Sequence, residues 1–138
     1  MNKAELENLA AIRIKEAEVL LEADCYQGAY YLAGYALECT LKACIAKQVK
    51  AFDFPNKRLA NDSYTHNLAN LLVTAGLKQE LSEQEKQSKA FRSNWATVIE
   101  WSEESRYESV ITKQQAHNLF TAIIDNESGV LPWLKKYL

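Results

Sequence analysis

An all-α fold, an antiparallel up-and-down bundle of four main helices plus a short extra helix, follows from three features of this sequence. Apolar residues recur every three or four positions in one segment after another, and no run alternates with period two, so a sheet is not expected. Only four glycines and two prolines punctuate the 138 residues. The third feature is residues 26–49, YQGAYYLAGYALECTLKACIAKQV. Wound at about 100° per residue, this stretch is apolar or small around nearly its whole circumference. A helix apolar almost all round belongs at the centre of a bundle. The exception is a narrow stripe, Tyr31, Tyr35, Glu38 and Lys42, each three or four residues after the last. Along that stripe the helix is expected to meet water, a partner or a ligand.

The first helix is expected from about Lys3 to Ala23, with Leu6, Leu9, Ala10, Ala17, Leu20 and Leu21 on one face. Asp24 and Cys25 form a corner short enough to force an antiparallel hairpin with the central helix. Residues 51–64, AFDFPNKRLANDSY, carry Pro55 and a cluster of turn formers and read as a loop. A short third helix follows, with Thr65 as its cap, Leu68, Leu71 and Leu72 facing inward, and Gly76 as its stop. Ser82 and Glu85 make a capping-box pattern that opens a fourth helix burying Phe91, Trp95, Val98 and Ile99. Thr112 and Gln115 repeat that pattern ahead of the cleanest helical face in the chain: Ala116, Leu119, Phe120, Ile123 and Ile124. Gly129 and Pro132 mark a bend before a last amphipathic turn with Trp133, Leu134 and Leu138.

At 15.7 kDa the chain reads as one domain, residues 1–138, large enough to bury a core without staples. A net charge of −2 supplies no long-range attraction for phosphate, so any nucleic-acid binding must come from a local basic patch. Residues 1–10 have no basic start followed by an apolar run, and Glu38, Lys42 and Lys47 interrupt the most apolar helix. Neither a secretory signal nor a membrane span is expected, which points to the cytoplasm. Cys39 and Cys44 sit five apart on one helix, neither a metal nor a disulfide spacing. All three cysteines read as small buried hydrophobes in a reducing compartment. His66 and His117 are in no ligand spacing, and no phosphate-loop or nucleophile-elbow motif is present, so neither metal nor cofactor is expected.

Four features carry chemistry, each with two readings. The Tyr31–Tyr35–Glu38–Lys42 stripe is either a solvated face with a Glu–Lys pair or a surface where two tyrosines stack a base and a lysine holds a phosphate. Arg13, near the centre of the first helix's apolar arc, either pairs with Glu38 across the hairpin or packs its stem while its head reaches water. Trp101, Arg106 and Tyr107, where the fourth helix gives way to a loop, either form a binding corner or cap the bundle end, with Arg106 paired to Glu103 or Glu104. His66 is either a helix-start residue or a ligand or base.

Residues 29–47, AYYLAGYALECTLKACIAK, resemble the central helix of the HEPN family, small helical bundles often encoded beside a minimal nucleotidyltransferase. The resemblance extends to Arg13, Ala17, Leu20 and Leu21, to Thr65-His66-Asn67-Leu68, and to Trp101–Tyr107. It implies a four- to five-helix bundle, a homodimer with a cleft between protomers, and one of two activities. Some members are metal-independent ribonucleases, often toxins, with Arg followed four to six residues later by His. Others lack that motif and are nucleotide- or substrate-binding partners of nucleotidyltransferases in toxin–antitoxin-like settings. Here His117 lies eleven positions after Arg106, and neither Arg92 nor Arg13 has a histidine in reach, so the nuclease pattern is absent.

The expected function is therefore a nucleotide- or RNA-binding bundle, non-catalytic, with Tyr31, Tyr35, Lys42, Trp101, Arg106 and Tyr107 at the binding surface and Arg13–Glu38 as a structural ion pair. The alternatives are a ribonuclease that uses Arg106 and His66 in another arrangement, and a helical adaptor whose stripe docks a protein.

Overall fold

The computed structural model describes residues 1–49, 56–108 and 110–138, and these are helical with no strand. Helix α1 (Lys3–Glu22) begins with a capping box in which Asn2 accepts from the Glu5 amide and Glu5 accepts from the Asn2 amide. It ends at a sharp corner where Asp24 takes a positive φ of 62°. The chain then returns as α2 (Tyr26–Ala46), which packs along α1 as the expected hairpin.

Twelve of the 21 residues of α2 are buried, from Ala29 to Ile45. It touches α1, α4 (Leu68–Thr74), α7 (Lys113–Ile124), α8 (Val130–Lys135) and the 3₁₀ turn Glu103–Tyr107, which makes it the central helix its composition requires. Its Leu37 and Leu41 join Leu71, Leu72, Phe91, Val98, Leu119, Ile123 and Leu134 in the main core. A smaller cluster, Leu6, Ala10, Cys39 and Ala43, seals the hairpin.

Several local expectations are corrected. Helix α3 (Lys57–Asp62) occupies much of the expected 51–64 loop, because Asn56 accepts from the Arg58 and Leu59 amides and starts a turn of helix. Residues 51–55 of that loop, Pro55 among them, lie outside the described residues. Asn67 caps α4 by accepting from the Asn70 amide, and Thr65 instead steadies Asn67 through its backbone N–H. Gly76 stops α4 as expected, with φ 77°.

The expected fourth helix is two helices, α5 (Lys78–Gln87) and α6 (Lys89–Val98), broken at Ser88. Ser88 leaves helical geometry and its Oγ accepts from the Phe91 amide, while Ser82 lies unused as a cap inside α5. Ile99 falls just past the end of α6 and is 45% exposed rather than buried.

The C-terminal half follows the pattern closely, except that Ile124, the last residue of α7, is exposed rather than on the buried face. Thr112 and Gln115 make the capping box of α7. Gly129 caps α8, where a β-carbon would fall 2.4 Å from the Asp125 carbonyl, so the turn needs glycine. Pro132 sits in the first turn of α8, where its missing N–H has no intrahelical acceptor to lose. Among the cysteines, Cys39 and Cys44 are buried as expected, but Cys25 is exposed because it stands at the hairpin corner. Among the described residues no helix is long and apolar enough to cross a membrane.

Candidate functional site

The polar stripe of α2 meets two other parts of the chain at one corner of the bundle. The first is the exit from α6. Trp101 crosses α2 at Gly34, so closely that a β-carbon on Gly34 would lie 2.2 Å from the indole. The ring is 4% exposed and stacks on Tyr31 at 6.2 Å between centroids, and Tyr31 in turn stacks on Tyr35 at 6.1 Å. A glycine one turn before Glu38 is what lets this large ring seat against the helix. The signal was present in the sequence, where Gly34 reads only as one more small residue.

Ser102 then caps the 3₁₀ turn, accepting from the Glu104 amide. The turn aims Arg106 and Tyr107 outward. The Arg106 guanidinium carbon sits 4.7 Å over the Tyr107 ring. Hydrogen bonds to Tyr31 and then to Tyr107 hold the Arg106 proton more firmly than in a free arginine. Tyr107 is 75% exposed.

The second part is His66, just before α4. Its Nδ1 lies 2.9 Å from Glu38 Oε2 and its Nε2 lies 3.1 Å from Glu103 Oε2. Both contacts are hydrogen bonds together when each ring nitrogen carries a proton. Glu38 is 2% exposed, and its Oε2 also accepts from Lys42 Nζ at 3.2 Å. A buried carboxylate is costly unless paired, and Lys42 and His66 are the pair that make this one tolerable. His66, Asn67, Trp101, Glu103 and Glu104 line a small cavity of about 280 Å³. Its carboxylates, imidazole and amide suit a ligand that donates hydrogen bonds more than a phosphate.

The expected Arg13–Glu38 ion pair does not form. Arg13 pairs with Glu16 on its own helix, where a partner three residues on needs no docking of a second element. Glu38 is instead claimed by Lys42 one turn along α2 and by His66.

Of the residues expected at a binding surface, Arg106 and Tyr107 are exposed, and Tyr31 and Tyr35 are half-buried beside them. Burial and the neighbouring Cys39 push the Tyr35 hydroxyl above its ordinary value. Trp101 is enclosed, so its ring is a wall rather than an open stacking platform. The charge of Lys42 faces Glu38, so it is not a free phosphate anchor. Arg106 pairs with neither Glu103 nor Glu104; its partners are the two tyrosines. His117 lies apart from this corner against Tyr26, ring centroids 6.4 Å apart, at the start of α2.

His66 joins the corner through Glu103, three residues before Arg106 on the same turn. This is the link that spacing could not reveal. Among the described residues no group of three or more His, Cys, Asp or Glu side chains could hold a metal ion. No family model, no curated protein and no solved structure matches this chain.

Proposed function

We propose that this chain is a nucleotide- or RNA-binding bundle of HEPN type that acts as the non-catalytic partner of a minimal nucleotidyltransferase. The observation that carries the reading is the setting of Arg106, exposed, beside Tyr31 and stacked over Tyr107. A guanidinium held this way presents its remaining donors to a phosphate, and the exposed tyrosine ring beside it is a face for a base. The adjoining cavity complements them, since Glu104 and Asn67 accept from base amino groups or ribose hydroxyls.

The HEPN resemblance supports the same corner. Its segments 29–47, 65–68 and 101–107 touch through Gly34–Trp101, Glu38–His66 and His66–Glu103. The homodimer and the nucleotidyltransferase partner rest on that resemblance.

A second reading, a metal-independent ribonuclease, is favoured by His66. A buried carboxylate orients its imidazole, as an acid or base requires, and Arg106 on the neighbouring turn would stabilise a phosphorane.

Binding of a labelled single-stranded RNA and of ATP, followed by anisotropy in EDTA, tests both. Arg106→Ala is expected to weaken binding about tenfold with an unchanged melting temperature and with RNA left intact. RNA cleavage that disappears in both His66→Ala and Arg106→Ala would select the second reading. No binding by the folded wild type would overturn both and leave the helical adaptor.

A further inference from the structure

His66 is met by carboxylates from two other parts of the chain. We infer that it is a pH-sensitive latch: the charged ring fastens the 3₁₀ turn Glu103–Tyr107 to α2, and the neutral ring releases it. Nδ1 lies 2.9 Å from Glu38 Oε2 on α2, and Nε2 lies 3.1 Å from Glu103 Oε2 on the turn. A charged imidazole carries a proton on each nitrogen and pairs with both carboxylates. A neutral one has a single N–H, so one of the two carboxylates is left against a nitrogen lone pair. Histidine passes between these forms over the physiological pH range. The His66 side chain is 44% exposed, so the proton comes and goes without unfolding.

The two ends of the latch are unequal. Glu38 is 2% exposed, so losing its imidazole donor is costly even with Lys42 Nζ at 3.2 Å. The Glu103 side chain is 32% exposed and can turn to water instead. The single N–H of a neutral ring therefore stays on Glu38, and the turn is the part released. Other charged side chains come from three elements. On α2, Lys42 is engaged by Glu38. On the turn, Glu104 shares the His66 cavity, and Arg106 lies beside Tyr31 and over Tyr107. On α3, which packs against α4, Arg58 pairs with Asp62. Thr65 and Asn67, the chain neighbours of His66, carry no charge.

Glu103 stands three residues before Arg106, so docking the turn also places that guanidinium beside Tyr31. The consequence for a ligand rests on the proposed RNA-binding role of Arg106. A docked turn presents the guanidinium preorganised, whereas a released turn must be ordered again on binding. Acid is thus expected to favour binding, and a rise through the histidine range to weaken it.

Two measurements on the full chain, at about pH 5.5 and about pH 8 on either side of the ordinary histidine range, test the latch. They are backbone ¹⁵N order parameters without ligand, and anisotropy of a labelled single-stranded RNA in EDTA. RNA is used rather than ATP, whose terminal phosphate titrates over the same range. Order parameters of residues 103–107 are expected to fall from about 0.85 at the lower pH toward about 0.6 at the higher. RNA affinity is expected to fall about fivefold with them. In Glu103→Ala both quantities should hold their high-pH values at either pH. A direct pull of the His66 charge on phosphate would survive in that variant, so pH-dependent binding retained there overturns the latch. A turn equally ordered at both pH values, or a pH response unchanged in His66→Gln, overturns it too. RNA unbound at both pH values, while the order of the turn follows pH, would overturn the RNA-binding reading and support the latch.

Discussion

His66 and Glu38 are joined by a 2.9 Å contact between an imidazole half open to solvent and a carboxylate that is 2% exposed. Because His66 also reaches Glu103, one ring ties the central helix to the 3₁₀ turn that carries Arg106. Removing the carboxylate leaves Lys42 and His66 facing a hole. Glu38→Ala is therefore expected to cost about 3 kcal/mol, in the range for breaking a buried pair. Glu103, with a side chain 32% exposed, should cost below about 1 kcal/mol when changed to Ala. Urea denaturation of the two variants checks this, and equal losses would show that Glu38 is not the buried anchor.

Arg13 pairs within its own helix and its side chain is 29% exposed, beside a Glu16 that is 43% exposed. Such a pair contributes little, because solvent screens it and two long side chains must be ordered. Arg13→Ala is expected to change stability by less than about 1 kcal/mol. A loss above about 2 kcal/mol would restore the inter-helix pair that the first helix's apolar arc suggested.

Gly34 is needed because of its neighbour rather than its backbone. A β-carbon there would meet the Trp101 indole at 2.2 Å, so the ring or the helix must move. Gly34→Ala is expected to destabilise by about 1–3 kcal/mol, the usual cost of overpacking, and to shift the tryptophan fluorescence. In a Trp101→Leu background the same substitution should be close to neutral, since the obstacle is gone. Equal effects in both backgrounds would mean the two residues are not in contact.

Burial pushes the Cys44 thiol up to about 11 from an ordinary 9.0. The folded chain thus keeps a proton that the unfolded chain has already lost. The stability from this group is complete below pH 9.0 and disappears as the pH rises to about 11. Cys39 moves the same way, by burial and then by the charge of Glu38. Urea midpoints measured under reducing conditions should fall through that window, and fall less steeply in Cys44→Ala. The same slope in both proteins would contradict this. With the fold intact at neutral pH, exposed Cys25 should be the first thiol to react with a disulfide reagent.

Much of the fold could be read from local pattern alone. The all-helical class, the hairpin at Asp24, the Gly76 stop and the Thr112–Gln115 box are all set by residues within one or two turns of each other. The break at Ser88 was hidden because Ser82 and Glu85 show a fuller capping pattern than Ser88, which has no acidic residue three positions on. Helix α3 was hidden by its own turn-forming composition.

At the site, Tyr31, Tyr35, Trp101, Arg106, Tyr107 and His66 each stood out from sequence, but the contacts among them did not. Glu38 had three basic side chains to choose from, and a one-turn spacing to Lys42 plus a tertiary approach by His66 won over Arg13. Such choices depend on where distant segments land, which periodicity does not encode.

The most direct test of the proposed site is a titration of isotopically labelled protein with a short single-stranded RNA, followed by amide NMR. Shifts concentrated at Tyr31, His66 and residues 103–107, and lost in Arg106→Ala, are the predicted result. No shifts, or shifts gathered on α5 or α8 with this corner silent, would contradict it.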